Sequence, residues 1–326
     1  MITRHRLLVG AALLVALAAC SSGSGTTTSR TTAPSTAPPS SPAPTTPVTQ
    51  PTPSVTQPPT ALGVPLFLDL RTGETTPLPD GMPTTGRAYA VSPDGTMVAS
   101  SPCCHPPNPV WVANIDGTRV REITPEGVDG FIPRWSPDGS MLVYQERRAD
   151  TQELGTLVVV GVATGERTVV TDLKPESVDS FWWVNPTFTP DGEAILFSLP
   201  RGSEADAPWD LWSVPAAGGE PTLVLRDASD GAYSPDGRSL SYVPQAGEDV
   251  PRPGGLLIAD ADGTDPRVLV EGDAGLARWS PDGTRITYLD DEGVHLVDVA
   301  TGETSLVARG DWPEWFDNDT LIISPA

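Results

Sequence analysis

Cys103, Cys104 and His105 stand side by side, and in this 326-residue chain they form the one run whose residue types suit redox or soft-metal chemistry. Thiolates bind soft metals and pair oxidatively. Neighbouring Cα atoms lie about 3.8 Å apart, below the usual span of a disulfide. A Cys103–Cys104 bridge would therefore be a strained eight-membered ring. Three outcomes stay open: a vicinal disulfide, two free thiols, or a metal or redox site needing ligands that the neighbouring sequence does not supply.

Nucleophilic hydrolysis has less material. Only His105 and His295 lie beyond the first twenty residues, and no Gly-x-Ser-x-Gly elbow follows them or precedes them in that stretch. His295 falls on a packing stripe shared with Leu66, Val110, Val158, Trp212 and Leu256, so it reads as a partly buried strand histidine. Asp260-Ala261-Asp262-Gly263-Thr264-Asp265 has the look of a calcium loop without its distal glutamate, and reads as a turn. Asp290-Asp291-Glu292 and Asp317-Asn318-Asp319 could hold a weak Ca²⁺; solvated turns explain them equally well. No catalytic residue, cofactor or metal site is assigned.

What must position any site is a repeat. Ser-Pro-Asp-Gly occurs at 92–95, 136–139, 234–237 and 280–283, with Thr-Pro-Asp-Gly at 189–192, at intervals of 44, 53, 45 and 46 residues. Such spacing matches one four-stranded propeller blade per repeat. Proline presets φ for a turn, aspartate bonds the backbone ahead, and glycine accepts the left-handed conformation that closes it. The preceding residue is Val91, Trp135, Phe188, Tyr233 or Trp279; the third and fifth residues after the glycine are apolar or aromatic in nearly every copy. That is strand periodicity. A second turn family, at Gly73, Gly117, Gly165, Gly219, Gly263 and Gly302, completes two hairpins per unit. Six second turns face five tetrapeptides, and Trp315-Phe316-Asp317-Asn318-Asp319-Thr320 reads as the degenerate sixth. The chain then opens with two outer strands of a blade (66–78) and ends with its two inner ones (312–324), so pairing these ends closes the ring. The expectation is an all-β, six-bladed β-propeller of four antiparallel strands per blade over residues 62–326.

The repeat resembles the Ser-Pro-Asp-Gly propeller repeat of TolB-like and WD-type proteins. That resemblance implies the propeller fold and, from TolB-like proteins, protein binding at the channel mouth. Propellers of this kind also serve as enzymes and as gating domains of peptidases, so fold alone does not choose a function.

Two residues before each tetrapeptide stand Ala90, Arg134, Thr187, Ala232, Arg278 and, in the last unit, Glu314. Alternation turns this position away from the neighbouring aromatic and toward the axis. Arg134, Arg278 and Glu314 are expected to form a charged ring at the channel mouth, flanked by Phe131, Trp182, Trp183 and Trp312. Arginine and tryptophan dominate binding hot spots. The competing reading has the charges pairing with one another and the tryptophans filling gaps between blades. Loops of irregular length gather on one rim, opposite the tetrapeptide turns, and mark it as the recognising face.

Residues 1–19 carry Arg4, His5 and Arg6 and then an apolar run too short to span a bilayer comfortably. Leu17-Ala18-Ala19-Cys20 resembles a bacterial lipobox, which implies lipidation at Cys20. Residues 20–61 are mostly Thr, Ser and Pro and cannot bury a core; they read as a disordered tether. All 42 acidic residues fall after residue 60, with 17 of the 20 basic ones, in a chain of net charge −22. Such a surface repels nucleic acid and anionic headgroups. The expected protein is a monomeric, non-enzymatic, extracytoplasmic lipoprotein at the bacterial cell membrane. It would touch that membrane through its lipid alone and recognise an envelope protein, peptide or glycan. The alternative is a metal-assisted hydrolase or lyase at the channel mouth using Asn185, Asp230 and Glu314.

Overall fold

The computed structural model describes residues 64–82, 88–102, 107–148, 155–173, 184–202, 207–245 and 254–324. The signal, tether and lipidation assignments, the pair Cys103–Cys104 with His105, and Trp182 and Trp183 lie outside the described residues. Within them are β1 (Leu66–Asp69), β2 (Thr75–Pro77), β3 (Ala88–Val91), β4 (Met97–Ser101), β5 (Trp111–Asn114), β6 (Arg121–Glu122), β7 (Val128–Trp135) and β8 (Met141–Arg148). They are followed by β9 (Thr156–Gly161), β10 (Arg167–Asp172), β11 (Thr187–Phe188), β12 (Ala194–Pro200), β13 (Trp209–Pro215), β14 (Thr222–Leu225), β15 (Ala228–Tyr233) and β16 (Ser239–Pro244). The last eight are β17 (Leu256–Asp260), β18 (Arg267–Val270), β19 (Gly275–Trp279), β20 (Arg285–Leu289), β21 (Val294–Asp298), β22 (Thr304–Ala308), β23 (Asp311–Trp315) and β24 (Thr320–Ser324).

These make six four-stranded antiparallel sheets. Blades one to five run in sequence order from β3 to β22, and blade six has the order β2-β1-β24-β23. The ring closes as its ends predict: Leu66 pairs with Ile323, Phe67 with Ile322, Leu68 with Leu321 and Asp69 with Thr320. Innermost strands touch at five of the six blade junctions, β23 meeting β3 at the seam, and at the sixth β15 meets β12 and β13. Among the described residues no free terminal blade exposes its apolar face.

The tetrapeptide explains its own recurrence. Ser136 Oγ donates to Asp138 Oδ1 at 2.6 Å and accepts from Met141 N–H at 2.9 Å; Asp138 Oδ1 accepts from Ser140 N–H at 3.0 Å. Gly139 N–H donates to Ser136 C=O at 2.9 Å. The same serine-to-aspartate bond spans 2.6 to 2.7 Å at Ser92, Ser234 and Ser280, and Thr189 replaces it at 2.5 Å. Ser136 is fully buried, so its hydroxyl must find both partners, and the turn supplies them. Gly139 sits at φ 70°, where a side chain would be strained and would also touch Pro93 of the preceding blade.

These bonds tie stability to pH. The Ser or Thr hydroxyl first, then the backbone N–H ahead, hold Asp94, Asp138, Asp191 and Asp236 below the ordinary carboxylate value of 3.8. A carboxylate whose folded pKa is depressed stabilises the fold above its unfolded value and loses that contribution as pH falls through the folded one. The melting temperature is therefore expected to hold from pH 7 to about 4 and to fall below that. Asp138→Asn should fall less steeply; equal slopes in both proteins would contradict the assignment.

Apolar clusters lie between the blades. Val143, Leu157 and Val159 of blade two meet Phe188, Ile195 and Phe197 of blade three, and the closing seam buries Leu78, Tyr89 and Val98 against Ile322. Tryptophans at the position before the tetrapeptide also bond across the gap. Trp135 Nε1 donates to Ala90 C=O at 2.9 Å, Trp279 to Ala232 C=O at 3.2 Å, and Trp315 to Arg278 C=O at 3.0 Å. All three acceptors belong to the ring position two residues before the preceding blade's turn.

Candidate functional site at the propeller axis

The innermost strands β3, β7, β11, β15, β19 and β23 place Ala90, Arg134, Thr187, Ala232, Arg278 and Glu314 at equivalent points. Arg134 Nη1 lies 3.5 Å from Glu314 Oε2, with 12% and 15% of the two side chains accessible. Arg134 Nη1 also donates to Tyr89 C=O at 3.0 Å and to Pro133 C=O at 3.2 Å. Arg278 donates to Ala277 C=O at 2.8 Å and reaches Asn185 Oδ1 at 3.5 Å. Asn185 Nδ2 in turn donates to Asp230 Oδ1, and Asp230 N–H to Ser198 Oγ at 3.1 Å. Five charged or amide groups from five different blades thus converge.

Burial governs their chemistry. It pushes the Glu314 carboxyl upward, opposed by the positive charges of Arg134 and Arg278 and by a hydrogen bond from the Val91 backbone. Burial lowers Arg134, with Glu314 opposing. Arg278 is lowered to about 9 by burial and by the like charge of Arg134, against the pull of Glu314 and Asp230. It remains a cation at neutral pH. Neither Arg278 Nε nor Glu314 Oε2 has a hydrogen-bond partner in the protein.

The two described aromatics of the expected ring are buried, Phe131 at 1% and Trp312 at 8% exposure. They pack with Ala88 and Ile132, and with Leu276 beside them. These residues come from blades one, two, five and six, so an apolar plug crosses the axis. Arg147 stacks over Phe131, 5.2 Å from its centroid.

The plug shows a position that sequence reading passed over. Ile132, Asn185, Asp230, Leu276 and Trp312 each stand four residues before the turn, and each has φ between 43° and 52°. In four of the five blades the ladder register shifts beside this residue, as a bulge does. Asparagine and aspartate tolerate the left-handed region; isoleucine, leucine and tryptophan do not visit it readily. This residue stands two positions before the ring residue on the same strand. Such strain concentrates where function requires it.

His295 lies apart on β21, with 12% of its side chain exposed, 3.0 Å from Asp290 and stacked on Tyr288 at 5.0 Å. Among the described residues, no three His, Cys, Asp or Glu side chains converge as metal ligands, and no helix is long and apolar enough to cross a membrane.

No protein-family profile matches the chain. Dipeptidyl-peptidase 5 of Porphyromonas gingivalis is 26% identical over 150 residues, 45% of this chain and 19% of that protein. The Tol-Pal system protein TolB of Xanthomonas oryzae is 33% identical over 75 residues, 21% of this chain and 17% of that protein. The chain therefore spans about a fifth of the length of these curated relatives. Among solved structures, TolB from Acinetobacter baumannii matches at TM-score 0.58 and 16% identity, covering 79% of this chain and 59% of the other. An oligogalacturonate lyase in complex with manganese matches at 0.50 and 18%, covering 76% and 73%. The fold is that of a TolB-like six-bladed β-propeller, a frame that binding proteins and enzymes share.

Proposed function

We propose that this propeller is a non-enzymatic recognition module for an envelope protein, peptide or glycan, held outside the cytoplasm by a lipid on Cys20. The observation that carries the reading is the axial constellation of Arg134, Arg278 and Glu314 beneath strained bulges. It is half-buried, built by several blades, and left with two buried polar atoms that have no hydrogen-bond partner in the protein. A ligand can satisfy them. The likeness to TolB supports a protein partner and an envelope setting, and the acidic exterior makes nucleic acid a poor one.

Capture from detergent-solubilised envelopes tests it. Replacing Arg134 and Arg278 together by alanine, with folding checked by circular dichroism, should reduce capture of the partner by about tenfold or more, as loss of central arginine anchors does. Undiminished capture would remove the reading.

The peptidase relative and the manganese-bound lyase fold favour a second reading, metal-assisted hydrolysis or elimination at the same axis. Asn185, Asp230 and Glu314 are the oxygen ligands it would use. In the structure Asp230 engages Asn185 and Glu314 engages Arg134. Metal analysis of the purified protein separates the two: stoichiometric bound metal favours the enzyme.

A further inference from the structure

The axial ring is lopsided. Going round it, Glu314 lies between Arg278 and Ala90, and Arg134 follows; the remaining arc holds only Thr187 and Ala232. The long charged side chains fill one side and the short ones line the other. Two arginines face two carboxylates, yet the carboxylates are not shared evenly. Glu314 pairs with Arg134 at 3.5 Å, and Asp230 takes the Asn185 amide. Arg278 is left with its own neighbour's carbonyl, a long contact to Asn185 and a buried Nε that donates to nothing in the protein. A buried donor left without an acceptor is costly, and a ligand oxygen can satisfy it.

We propose that the axial ring binds a carboxylate, which accepts from Arg278 Nε. This rests on the recognition reading and names the chemical group recognised. Guanidinium and carboxylate match in shape as well as charge, and exclusion from bulk water strengthens the bond. The strongly acidic exterior disfavours a polyanion. The group is therefore a lone carboxylate on an otherwise neutral or cationic molecule, such as a peptide terminus. Glu314 and Asp230 oppose it by like charge, which sets a ceiling on affinity.

Calorimetric titration of the full chain with three probes tests this: acetate, triglycine and triglycinamide. Saturable heat with triglycine and none with its amide is expected. Acetate binding as well identifies a free carboxylate as sufficient, and triglycine alone identifies a peptide terminus. Arg278→Gln should abolish binding, Arg278→Lys should weaken it while keeping the charge, and Glu314→Gln should strengthen it about tenfold by removing the like charge. The proposal is overturned if neither carboxylate binds the native protein or Glu314→Gln, or if triglycinamide binds as well as triglycine. A partner captured without any carboxylate binding would sink this inference and leave the recognition reading standing. Carboxylate binding with no envelope partner would do the reverse.

Discussion

A chain lacking residues 62–80 is expected to lose cooperative folding, or to melt far below the intact protein. The deletion removes β1 and β2, strips β24 of its partner along four residue pairs, and takes Leu68 and Leu78 out of two inter-blade clusters. Removing one buried leucine side chain costs about 2 to 5 kcal/mol. Two of them, with a sheet edge exposed, approach the whole stability of a typical domain, roughly 5 to 15 kcal/mol. The loss is also non-local, since blade six holds the first and last strands and every blade leans on the next. Differential scanning calorimetry reads it directly. An unchanged melting temperature would mean that the ring does not depend on this closure.

Trp315→Ala is expected to be the most damaging single substitution in the degenerate repeat. Trp315 is 6% exposed, packs in the cluster between blades five and six, donates to Arg278 C=O and lies 5.3 Å beneath the Arg285 guanidinium. Truncating a buried tryptophan costs about 3 to 5 kcal/mol. Trp315→Phe keeps most of the packing and loses the indole bond, which should cost about 1 to 2 kcal/mol. Urea unfolding should show both losses as a lower midpoint with an unchanged slope. A cost below about 1 kcal/mol for the alanine variant would remove Trp315 from the account of how the last blade is held.

The tetrapeptide turns were legible because each residue type does local work, bonding within five positions of itself. Trp315-Phe316-Asp317-Asn318-Asp319-Thr320 was legible as a sixth copy by counting second turns, although no tetrapeptide stands there. Asn318 now accepts from Asp282 N–H at 3.0 Å, joining the degenerate turn to its neighbour. The ring of Arg134, Arg278 and Glu314 followed from aligning the repeats, since a fixed offset from the turn fixes the direction of a strand side chain.

What alignment could not supply was who meets whom. The tryptophan bonds join residues 37 to 47 positions apart, and the sequence marks those positions only as bulky and apolar. The bulges were hidden for a different reason. Asn185 and Asp230 hint at left-handed backbone, but Ile132, Leu276 and Trp312 at the same offset argue against it. The conformation is imposed by the register shift and the packing across the axis. Nothing local announces it, and the apolar plug it builds was hidden with it.

On the proposed reading, the partner meets the rim opposite the tetrapeptide turns. Photo-crosslinking from intact cells tests it most directly, with a benzophenone side chain at exposed Asp273 on that rim and, separately, at exposed Pro93 on the tetrapeptide rim. The account predicts a discrete adduct from position 273, lost when Arg134 and Arg278 are both alanine, and none from position 93. Adducts from position 93 alone, or none from either, would contradict it.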